Sequence, residues 1–374
     1  MILALGVLTL VIWAYLIFFH GSFWQAKTEM PLPVLATWPS VVAVVPARNE
    51  ADVVGQAIGS LLAQNYPGDF RIVLVDDHST DGTADAARVA AQGKEDRLTI
   101  VTAQPLPQGW TGKLWALSEG VRQVANAPDL YLFTDADIAH HRANLSELVA
   151  RLESEKRDLV SLMVKLHCAS FAERFLIPAF VFFFAMLYPF AWSNDPAKRT
   201  AAAAGGCVLV RRSAYEKIGG YESIKGELID DCALARRVKQ NGSIWLGLSE
   251  ETRSLRVYPA LSDIWNMVAR TAYTQLQYSP LLLAGTVLGL AVTYLAPPLL
   301  MFTTGASAYF GAIAWLGMAI AYEPILRFYG LSVLWAPFLP LAALVYLGAT
   351  VASAWRHYRG RGGEWKGRVQ WPKP

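Results

Sequence analysis

The uneven distribution of apolar residues constrains this chain more than any other feature of its sequence. Apolar side chains are concentrated at residues 1–19 and again from about Pro280 to Trp355, and a region richer in charge lies between these two blocks. Hydrophobic residues make up 54% of the chain and charged residues 17%, whereas a soluble domain carries about 25% charged residues. This composition excludes a disordered chain and argues against a purely soluble protein. The net charge of +3 is too small to indicate binding to nucleic acid.

The first apolar block contains no charged residue, and about 20 apolar residues are enough to cross the hydrocarbon layer of a membrane. A cleaved secretory signal would combine a basic start with a small-residue cleavage site. This block instead begins at Met1 without lysine or arginine and ends in Phe18 and Phe19. We therefore predict that residues 1–24 form an uncleaved transmembrane anchor.

The second apolar block predicts transmembrane helices over residues 280–355, with spans at 281–303, 306–322 and 331–353. The tail at 356–374 is basic, and the positive-inside rule places such a tail in the cytoplasm. If the region between the two blocks is cytoplasmic as well, the second block must contain an even number of spans, whereas three are predicted. The sequence leaves open whether one span is re-entrant or interfacial, or whether the tail departs from the rule.

A shorter apolar stretch, Phe175–Trp192, interrupts the charged middle region. Its length is marginal for a span, and Pro178 and Pro189 interrupt it. A span here would also put the two halves of the middle region on opposite sides of the membrane. We predict that residues 172–193 lie in the membrane interface, as aromatic-rich segments often do. A buried helical hairpin is the alternative.

The middle region, residues 40–258, alternates short β-branched runs with amphipathic stretches. This alternation is typical of βαβ units on a parallel sheet, and it predicts an α/β, Rossmann-like fold with helices flanking a mostly parallel sheet. Ligands of such sheets bind beyond the carboxyl ends of the strands. The predicted elements are strands 41–45 (ended by Pro46), 71–75, 98–102 and 130–134, and helices 50–64, 83–92, 113–125 and 230–240.

Polar clusters follow several of these strands. They are Pro46–Glu50, Asp76–Thr83, Thr134–Asp137 and Ile229–Asp231. Acidic residues at such positions often cap helices or stabilise turns, and Asp81 fits the role of a cap for the next helix. The positions of the clusters predict that their side chains gather at one edge of the sheet.

The pair Asp135 and Asp137 does not fit simple capping, because both carboxylates flank one small residue at the end of an apolar strand. Two converging carboxylates repel each other unless a cation lies between them. A hard divalent ion with phosphates completing its coordination shell satisfies this requirement. The pair therefore predicts Mg²⁺ or Mn²⁺ beside a nucleotide diphosphate. His140 and His141 follow closely, and the sequence leaves metal ligation and an exposed loop open for them.

Glycine-rich phosphate-binding loops of the P-loop and dinucleotide types are absent from the sequence. P-loop hydrolysis and dinucleotide redox chemistry therefore lose support.

The clusters together resemble a known family. The motifs V-P-A-R-N-E, V-D-D-H-S-T-D-G-T, T-D-A-D and I-D-D-C-A-L-A-R-R occur in this order, and over roughly residues 40–245 they resemble the inverting family 2 glycosyltransferases with a GT-A fold. The motif G-W-T-G-K-L-W-A-L at Gly109–Leu117 and the apolar blocks are most similar to membrane glycosyltransferases of hopanoid biosynthesis. Ceramide glucosyltransferases and carotenoid-acid glycosyltransferases are more distant.

The resemblance implies a role for individual residues in binding a nucleotide sugar. Asp76 or Asp77 would contact base and ribose, Asp135 would contact ribose or donor sugar, and Asp137 would hold the metal with Asp135 nearby. The glycines Gly205 and Gly206 would begin the acceptor-side strand 207–210 and let a sugar approach the backbone closely. The full set implied for the nucleotide sugar is Pro46, Ala47, Glu50, Asp76, Asp77, Lys113, Asp135 and Arg270.

The catalytic base is carried over to the pair Asp230–Asp231. The family usually has a Glu-Asp pair here in which the Asp acts, so the resemblance implies that Asp231 is the general base and Asp230 a supporting carboxylate. An inverting transfer needs one base to take the proton of the acceptor hydroxyl, and a second carboxylate nearby would raise the pKa of that base. The alternative is that the pair caps the helix beginning near Cys232.

Arg270 lies where relatives carry a Q/R-x-x-R-W signature, on an amphipathic helix predicted at 259–279. The Gln/Arg and Trp of that signature are absent, which argues against a processive polysaccharide synthase. Arg270 would contact the diphosphate, or it would only extend to the membrane interface.

The resemblance thus implies a multi-pass protein of the cell inner membrane whose catalytic domain is cytoplasmic. It would transfer a sugar from a nucleotide sugar, UDP-linked, to a lipid acceptor such as a hopanoid or another polyisoprenoid. A processive polysaccharide synthase and a catalytically inactive scaffold or sensor are the alternatives.

Overall fold

The computed structural model describes residues 1–26, 33–360, 362–365 and 368–369, and the chain divides into two compact units. Of the basic tail predicted at 356–374, residues 361, 366–367 and 370–374 lie outside the described residues. One unit comprises Met1–Ala26, His167–Ala191 and Val257–Glu364, and the other comprises Lys27–Leu166, Trp192–Arg256 and Trp365–Pro374. We call them the helical unit and the α/β unit.

Eight of the strands in the described residues form a mixed sheet, and the last two strands form a separate two-stranded sheet. Within the described residues the strands are β1 (Val41–Ala47), β2 (Phe70–Asp76), β3 (Leu98–Thr102), β4 (Leu130–Phe133), β5 (Ile138–Ala139), β6 (Leu159–Lys165), β7 (Val208–Arg211), β8 (Ile244–Ser254), β9 (Glu364–Trp365) and β10 (Arg368–Val369).

The main sheet has the order β3-β2-β1-β4-β7-β6-β8-β5. Strands β3, β2, β1 and β4 are parallel, and β6 is parallel to β8. Strand β7 runs antiparallel to both of its neighbours, and β5 runs antiparallel to β8. The predicted α/β fold is confirmed.

The helices lie in both units. In the described residues they are α1 (Ile2–Phe18), α2 (Val54–Leu62), α3 (Thr83–Ala90), α4 (Gly112–Arg122), α5 (Asn144–Ser154), α6 (Phe171–Leu187), α7 (Phe190–Asn194), α8 (Arg212–Lys217), α9 (Asp230–Lys239), α10 (Leu261–Gln275), α11 (Pro280–Leu290), α12 (Ala296–Leu300), α13 (Ala306–Phe328) and α14 (Leu339–Tyr358).

Strand β1 shows why the sheet is buried on both faces. Val41, Ala43 and Val45 face a core formed with α2, α3 and α5, whereas Val42 and Val44 face a core formed with α4, α8 and α9. Successive side chains of a strand point to opposite faces, so a continuous apolar run suits a sheet covered by helices on both sides.

Pro46 does not end β1, contrary to the sequence prediction. The strand continues to Ala47, and Pro46 pairs in register with Val75. The pairing with β4 stops at Val44. Beyond that point β1 has a partner strand on one side only, where the missing N–H of proline is tolerated.

Helix α2 begins at Val54, four residues after the predicted start at Glu50. The backbone N–H groups of Glu50 and Ala51 donate to side chains of the next polar cluster, Thr83 Oγ1 at 2.9 Å and Asp81 Oδ2 at 3.0 Å. These contacts hold the segment before α2 as a loop.

The helical unit contains three helical segments that are long and apolar enough to cross a membrane, counting described residues only. They are Pro280–Leu300, Ala306–Phe328 and Val333–Tyr358. The second extends beyond its predicted end at residue 322, and Glu323 and Arg327 form an ion pair one turn apart within the added part of the helix. Helix α1 has 17 residues, about 25 Å of helix. The transmembrane anchor predicted there stays a prediction.

Helix α6 contains most of the apolar stretch predicted to be interfacial. Pro178 lies inside this helix and does not break it. A capping box begins the helix, since Ser170 Oγ accepts from Glu173 N at 3.1 Å and Glu173 Oε2 accepts from Ser170 N at 2.8 Å. One face of α6, including Leu176 and Phe182, is fully buried.

Glu173 fastens the start of α6 to a distant part of the helical unit. Its Oε1 accepts hydrogen bonds from Tyr258 N at 2.7 Å and from the His167 ring at 2.9 Å. Burial acts to raise the pKa of Glu173, but the N–H donors of Tyr258, Ser170 and Ala169 and the His167 ring outweigh it and lower the pKa to about 2.

Candidate functional site

An ammonium group links two of the predicted acidic motifs. Lys113, at the start of α4, lies with Nζ 2.9 Å from Asp135 Oδ1 and 3.3 Å from Asp230 Oδ2. Burial acts to lower the pKa of Lys113, but the carboxylates of Asp135, Asp230 and Asp231 outweigh it and raise the pKa above its usual value. Lys113 is therefore a permanent cation between the two motifs.

Asp231 lies beside this cation with both carboxylate oxygens oriented by the backbone. Oδ2 accepts from Gly205 N and Oδ1 accepts from Cys232 N, each at 2.7 Å. Burial, and then the charge of Asp230, raise the pKa of Asp231 to about 6, although Lys113 and the two N–H donors act in the opposite direction.

The structure agrees only in part with the alternative that the Asp230–Asp231 pair caps α9. The pair lies at the start of the helix but does not occupy its N-cap position. The N-cap position is Ile229, whose side chain forms no capping hydrogen bond with the described residues. Asp230 and Asp231 are the first two helical residues, where a helix N-terminus favours negative charge. Helix geometry therefore holds both carboxylates in place.

A small cavity in the α/β unit is lined by the side chains of Lys113, Asp135, Asp230 and Asp231. Gly205 allows them to approach, because a Cβ atom there would lie 3.1 Å from Lys113 Nζ and 3.3 Å from Asp231 Oδ2. Both charged and apolar side chains line the cavity. The residues lining it are Lys113, Leu117, Phe133, Thr134, Asp135, Gly205, Val208, Tyr221, Asp230, Asp231 and Leu234.

Asp137 belongs to a second cluster of charges. Its Oδ2 accepts from Arg256 Nε at 2.7 Å, and Arg256 Nη2 donates to Glu50 Oε1 at 2.7 Å. Burial, and then the charge of Asp135, raise the pKa of Asp137 despite the arginine. Arg256 was not predicted from the sequence; it lies two residues after the end of β8 and 119 positions away from Asp137.

The oxygen donors of Asp135 and Asp137 fit a divalent cation. The two carboxylates repel each other, as the raised pKa of Asp137 reflects, and oxygen ligands suit Mg²⁺ or Mn²⁺. Among the described residues there is no group of three or more His, Cys, Asp or Glu side chains arranged to hold a metal. Mg²⁺ is commonly bound by one or two carboxylates with substrate phosphates supplying further ligands, and the pair matches that arrangement.

The first two polar clusters are joined by hydrogen bonds. Asn49, with φ of 51°, accepts from Thr80 N at 2.9 Å and its own N–H donates to Ser79 Oγ at 3.0 Å. Asparagine tolerates this left-handed conformation because its side chain bonds locally. The two loops therefore form one rigid surface after β1 and β2.

The predicted nucleotide residues in these loops differ in exposure. Pro46 and Ala47 are buried within β1. Asp77 is 1% exposed, and its Oδ2 lies 3.5 Å from Arg48 Nη1. Asp76 is partly exposed, and its Oδ1 accepts from Ser79 N at 2.9 Å. Of the two aspartates, Asp76 is the one with surface available to a ligand.

The predicted cap Asp81 accepts from Thr83 N at 3.1 Å, but Gly82 occupies the N-cap position of α3.

A buried histidine holds the strand end that carries Asp135. Asn144 Nδ2 donates to His140 Nδ1 at 2.9 Å, so His140 Nε2–H donates to Thr134 Oγ1 at 2.8 Å, and Thr134 Oγ1 donates to Gly206 O at 2.7 Å. Burial lowers the pKa of His140 to about 4. The imidazole is neutral and structural, unlike either possibility considered from the sequence, whereas His141 is half-exposed and paired with Glu251.

Arg270 lies on helix α10 of the helical unit and is exposed. Its assignment to the nucleotide sugar stays a prediction.

Comparison with known proteins gives a family match that lies largely in the α/β unit. Residues 42–219 match the sequence profile of the family described as "Glycosyl transferase family 2", so this stretch is similar to the domains of that family. This match agrees with the resemblance to the same family inferred from the motifs. The closer resemblance to glycosyltransferases of hopanoid biosynthesis stays a prediction.

Curated relatives are glycosyltransferases by name. "Probable glycosyltransferase YdaM" of Bacillus subtilis is 27% identical over 207 residues, which cover 54% of this chain and 47% of that protein. The 4,4'-diaponeurosporenoate glycosyltransferase of Staphylococcus aureus is 27% identical over 199 residues, which cover 52% of this chain and 50% of that protein. The match spans about half the length of these relatives.

One solved structure is similar over nearly the whole chain. The mannosyltransferase PcManGT from Pyrobaculum calidifontis, in complex with GDP-Man and Mn²⁺, has a TM-score of 0.56 and 18% identity, and the match covers 96% of this chain and 99% of that chain. At this level of identity the likeness shows that the fold is shared.

Proposed function

We propose that this chain is a membrane-bound, inverting, metal-dependent glycosyltransferase that transfers a sugar from a nucleotide sugar to a lipid acceptor. The observation that carries the proposal is the cavity where Lys113 joins Asp135 to Asp230 with Asp231 beside them. Three motifs that are distant in sequence supply these groups, and the stretch that matches the family 2 profile includes Lys113 and Asp135.

Asp231 is the general base of the proposed reaction. It takes the proton of the acceptor hydroxyl while the oxygen of that hydroxyl attacks the anomeric carbon, and the bond between that carbon and the leaving diphosphate breaks. The backbone N–H groups of Gly205 and Cys232 fix the orientation of the carboxylate. A pKa of about 6 suits a base that must be ionised near neutral pH and yet accept a proton.

Lys113, Asp135 and Asp137 serve the donor end of the site. Lys113 keeps a positive charge close to Asp135, where phosphate or ribose oxygens of the donor would bind. Asp137, with Asp135 nearby, would hold Mg²⁺ or Mn²⁺, which would neutralise the charge that develops on the leaving diphosphate. Asp76 and Glu50 complete the nucleotide-binding side.

An apolar acceptor is supported by the helical unit, whose three long segments can cross a membrane. The Staphylococcus aureus relative is named for 4,4'-diaponeurosporenoate, which also supports an apolar acceptor. We propose a hopanoid or another polyisoprenoid. We further propose that the protein is a multi-pass protein of the cell inner membrane, with residues 172–193 and 259–279 at the interface and the catalytic domain in the cytoplasm.

A donor screen tests this function. Full-length protein in detergent is mixed with radiolabelled UDP- and GDP-sugars, Mg²⁺ or Mn²⁺ and a total bacterial lipid extract, and label is followed into lipid. We expect transfer from one donor, UDP-linked, into a small lipid. Asp231→Asn should reduce transfer by about 100-fold or more, the usual contribution of general base catalysis.

Two outcomes would contradict the proposal. Label in a high polymer would indicate a processive synthase. Absence of transfer with every donor, together with retained UDP binding, would indicate an inactive scaffold or sensor. Glu147→Gln is the control variant, because Glu147 is an exposed carboxylate on α5 outside the cavity.

A further inference from the structure

The guanidinium of Arg256 lies between two carboxylates that belong to the predicted donor site. Its Nε donates to Asp137 Oδ2 and its Nη2 donates to Glu50 Oε1, both at 2.7 Å. One edge of the guanidinium thus bridges two acids, each of which is mostly buried, while the arginine side chain is 35% exposed.

The backbone holds Arg256 at this position. Leu255 N donates to Asp137 O at 2.7 Å, and Ser254 pairs with Ile138 where β8 runs antiparallel to β5. Because Asp137 and Arg256 extend from segments that are hydrogen-bonded to each other, the backbone places their side chains close together. A charge-assisted bond of this length is among the stronger hydrogen bonds in proteins.

Arg256 therefore occupies the place of a cation at Asp137. A divalent ion that binds the same carboxylate must compete with an arginine already bonded to it, and the two positive charges repel each other. A nucleotide diphosphate changes this balance. Arginine matches phosphate oxygens with paired N–H donors, so the diphosphate offers the guanidinium a new partner while it supplies oxygen ligands to the metal.

We propose that Arg256 is a resident counter-ion that excludes the divalent cation from Asp137 until a nucleotide diphosphate draws the guanidinium away, so that cation and nucleotide bind together. This inference rests on the proposed function, since it requires a metal at Asp137. It assigns Arg256 to donor binding, in addition to the residues predicted from the sequence.

Manganese binding to the full-length protein in detergent tests this proposal without relying on activity. The electron paramagnetic resonance signal of free Mn²⁺ is titrated with and without UDP, for the wild type, Arg256→Ala and Arg256→Lys. Without UDP, Arg256→Ala should bind Mn²⁺ at least about tenfold more tightly than the wild type, and the enhancement of Mn²⁺ affinity by UDP should fall by at least about tenfold, within the range of site-to-site coupling. Arg256→Lys, which keeps the charge, should stay near the wild type without UDP.

Arg253→Ala is the matched control. Arg253 is an exposed arginine near the end of the same strand, and its guanidinium donates to Glu250 O. Its loss removes one positive charge from the same region without touching Asp137. Mn²⁺ affinity of this variant should stay within about twofold of the wild type, since exposed charges are screened. Thermal unfolding of each variant checks that it is folded.

The outcomes separate this inference from the proposed function. If the wild type shows cooperative binding of Mn²⁺ and UDP and a folded Arg256→Ala keeps the wild-type Mn²⁺ affinity without UDP, the counter-ion role is wrong and the function stands. If Asp137→Asn leaves binding of Mn²⁺ with UDP intact, the metal is bound elsewhere and the inference fails. If the wild type transfers sugar without any divalent ion, the inference and the metal requirement both fail.

Discussion

The backbone N–H of Gly205 donates a 2.7 Å hydrogen bond to Oδ2 of Asp231. This contact joins the loop before β7 to the first turn of α9, and it leaves no room for a bulkier residue without movement, since a Cβ on Gly205 would lie 3.3 Å from the same oxygen. The glycine therefore serves the close approach of a carboxylate and the nearby ammonium of Lys113. The close approach of a sugar, expected from the sequence, stays a prediction.

The pH dependence of sugar transfer should report the ionisation of Asp231. A general base acts only when deprotonated, and the pKa of Asp231 is raised to about 6. We expect kcat/KM, whose pH profile reports ionisations of the free enzyme, to be constant above that pH and to fall about tenfold per unit below it. A profile that stays flat down to pH 4.5 would contradict the assignment of the base.

Lys113→Met should raise the pH below which the rate of transfer falls; we call this falling part of the profile the acidic limb. The ammonium of Lys113 lowers the pKa of Asp231, so its removal makes the carboxylate harder to ionise. The shift is read from the pH at which kcat/KM falls; weaker donor binding lowers the plateau of that profile and does not by itself move this pH. Lys217→Met is the control, because Lys217 is exposed at the end of α8. A limb that moves to lower pH in Lys113→Met would refute the electrostatic role.

Local patterns in the sequence account for most of the α/β fold. Strand β3 has the predicted bounds Leu98–Thr102, because β-branched residues between polar turns leave little choice. The predicted start of α2 at Glu50 is wrong, since the amides there bond to side chains of another loop. Contacts between distant segments decide such boundaries, and a single sequence does not contain them in readable form.

The candidate site likewise contains residues that the sequence predicts and one that it does not. Asp135, Asp230 and Lys113 were predicted from motifs, and the structure brings them together. Arg256 was missed because its partner Asp137 is reached through the antiparallel pairing of β5 with β8, in which a two-residue strand meets the end of a long one. Periodicity gives no signal for a strand that short.

Replacing Gly120 by alanine should destabilise the α/β unit. A Cβ at Gly120 on α4 would lie 2.3 Å from Val44 Cγ1 and 2.9 Å from Val75 Cγ2, both in the buried sheet. Overpacking of this kind costs about 1–3 kcal/mol. Gly59→Ala is the matched control, because Gly59 is a helical glycine of α2 with no atom within 4 Å of its Cβ position.

In the control variant Gly59→Ala, the higher helix propensity of alanine should raise the free energy of unfolding by about 0.5–1 kcal/mol. Thermal unfolding of the two variants in one detergent gives the comparison. Equal midpoints would show that α4 does not pack on the sheet as closely as the distances indicate.

Glu173→Gln should weaken the helical unit at neutral pH. The carboxylate accepts from three backbone N–H groups and the His167 ring, and the side chain is 1% exposed. Glutamine has one acceptor oxygen and would turn its NH₂ group toward one set of these donors. Loss of charged, buried hydrogen bonds of this kind costs about 2–4 kcal/mol.

The measurement is thermal unfolding at pH 7, with Glu147→Gln as the exposed control. In the wild type, the low pKa of Glu173 means that its contribution is present above the usual glutamate value of 4.5 and is lost as pH falls toward 2. A Glu173→Gln variant with the stability of the control would refute the role of this carboxylate.

His140 should make the stability of the α/β unit depend on pH in a defined window. Burial lowers its folded pKa from 6.5 to about 4, so between these values the unfolded chain binds a proton that the folded chain does not. Stability should therefore fall by up to about 3 kcal/mol as pH decreases through this window. His140→Gln is less stable at pH 7 but should lack this slope, whereas His141→Gln, at a half-exposed neighbour, should keep it. Equal slopes in the wild type and His140→Gln would show that the imidazole is not held neutral between Thr134 and Asn144.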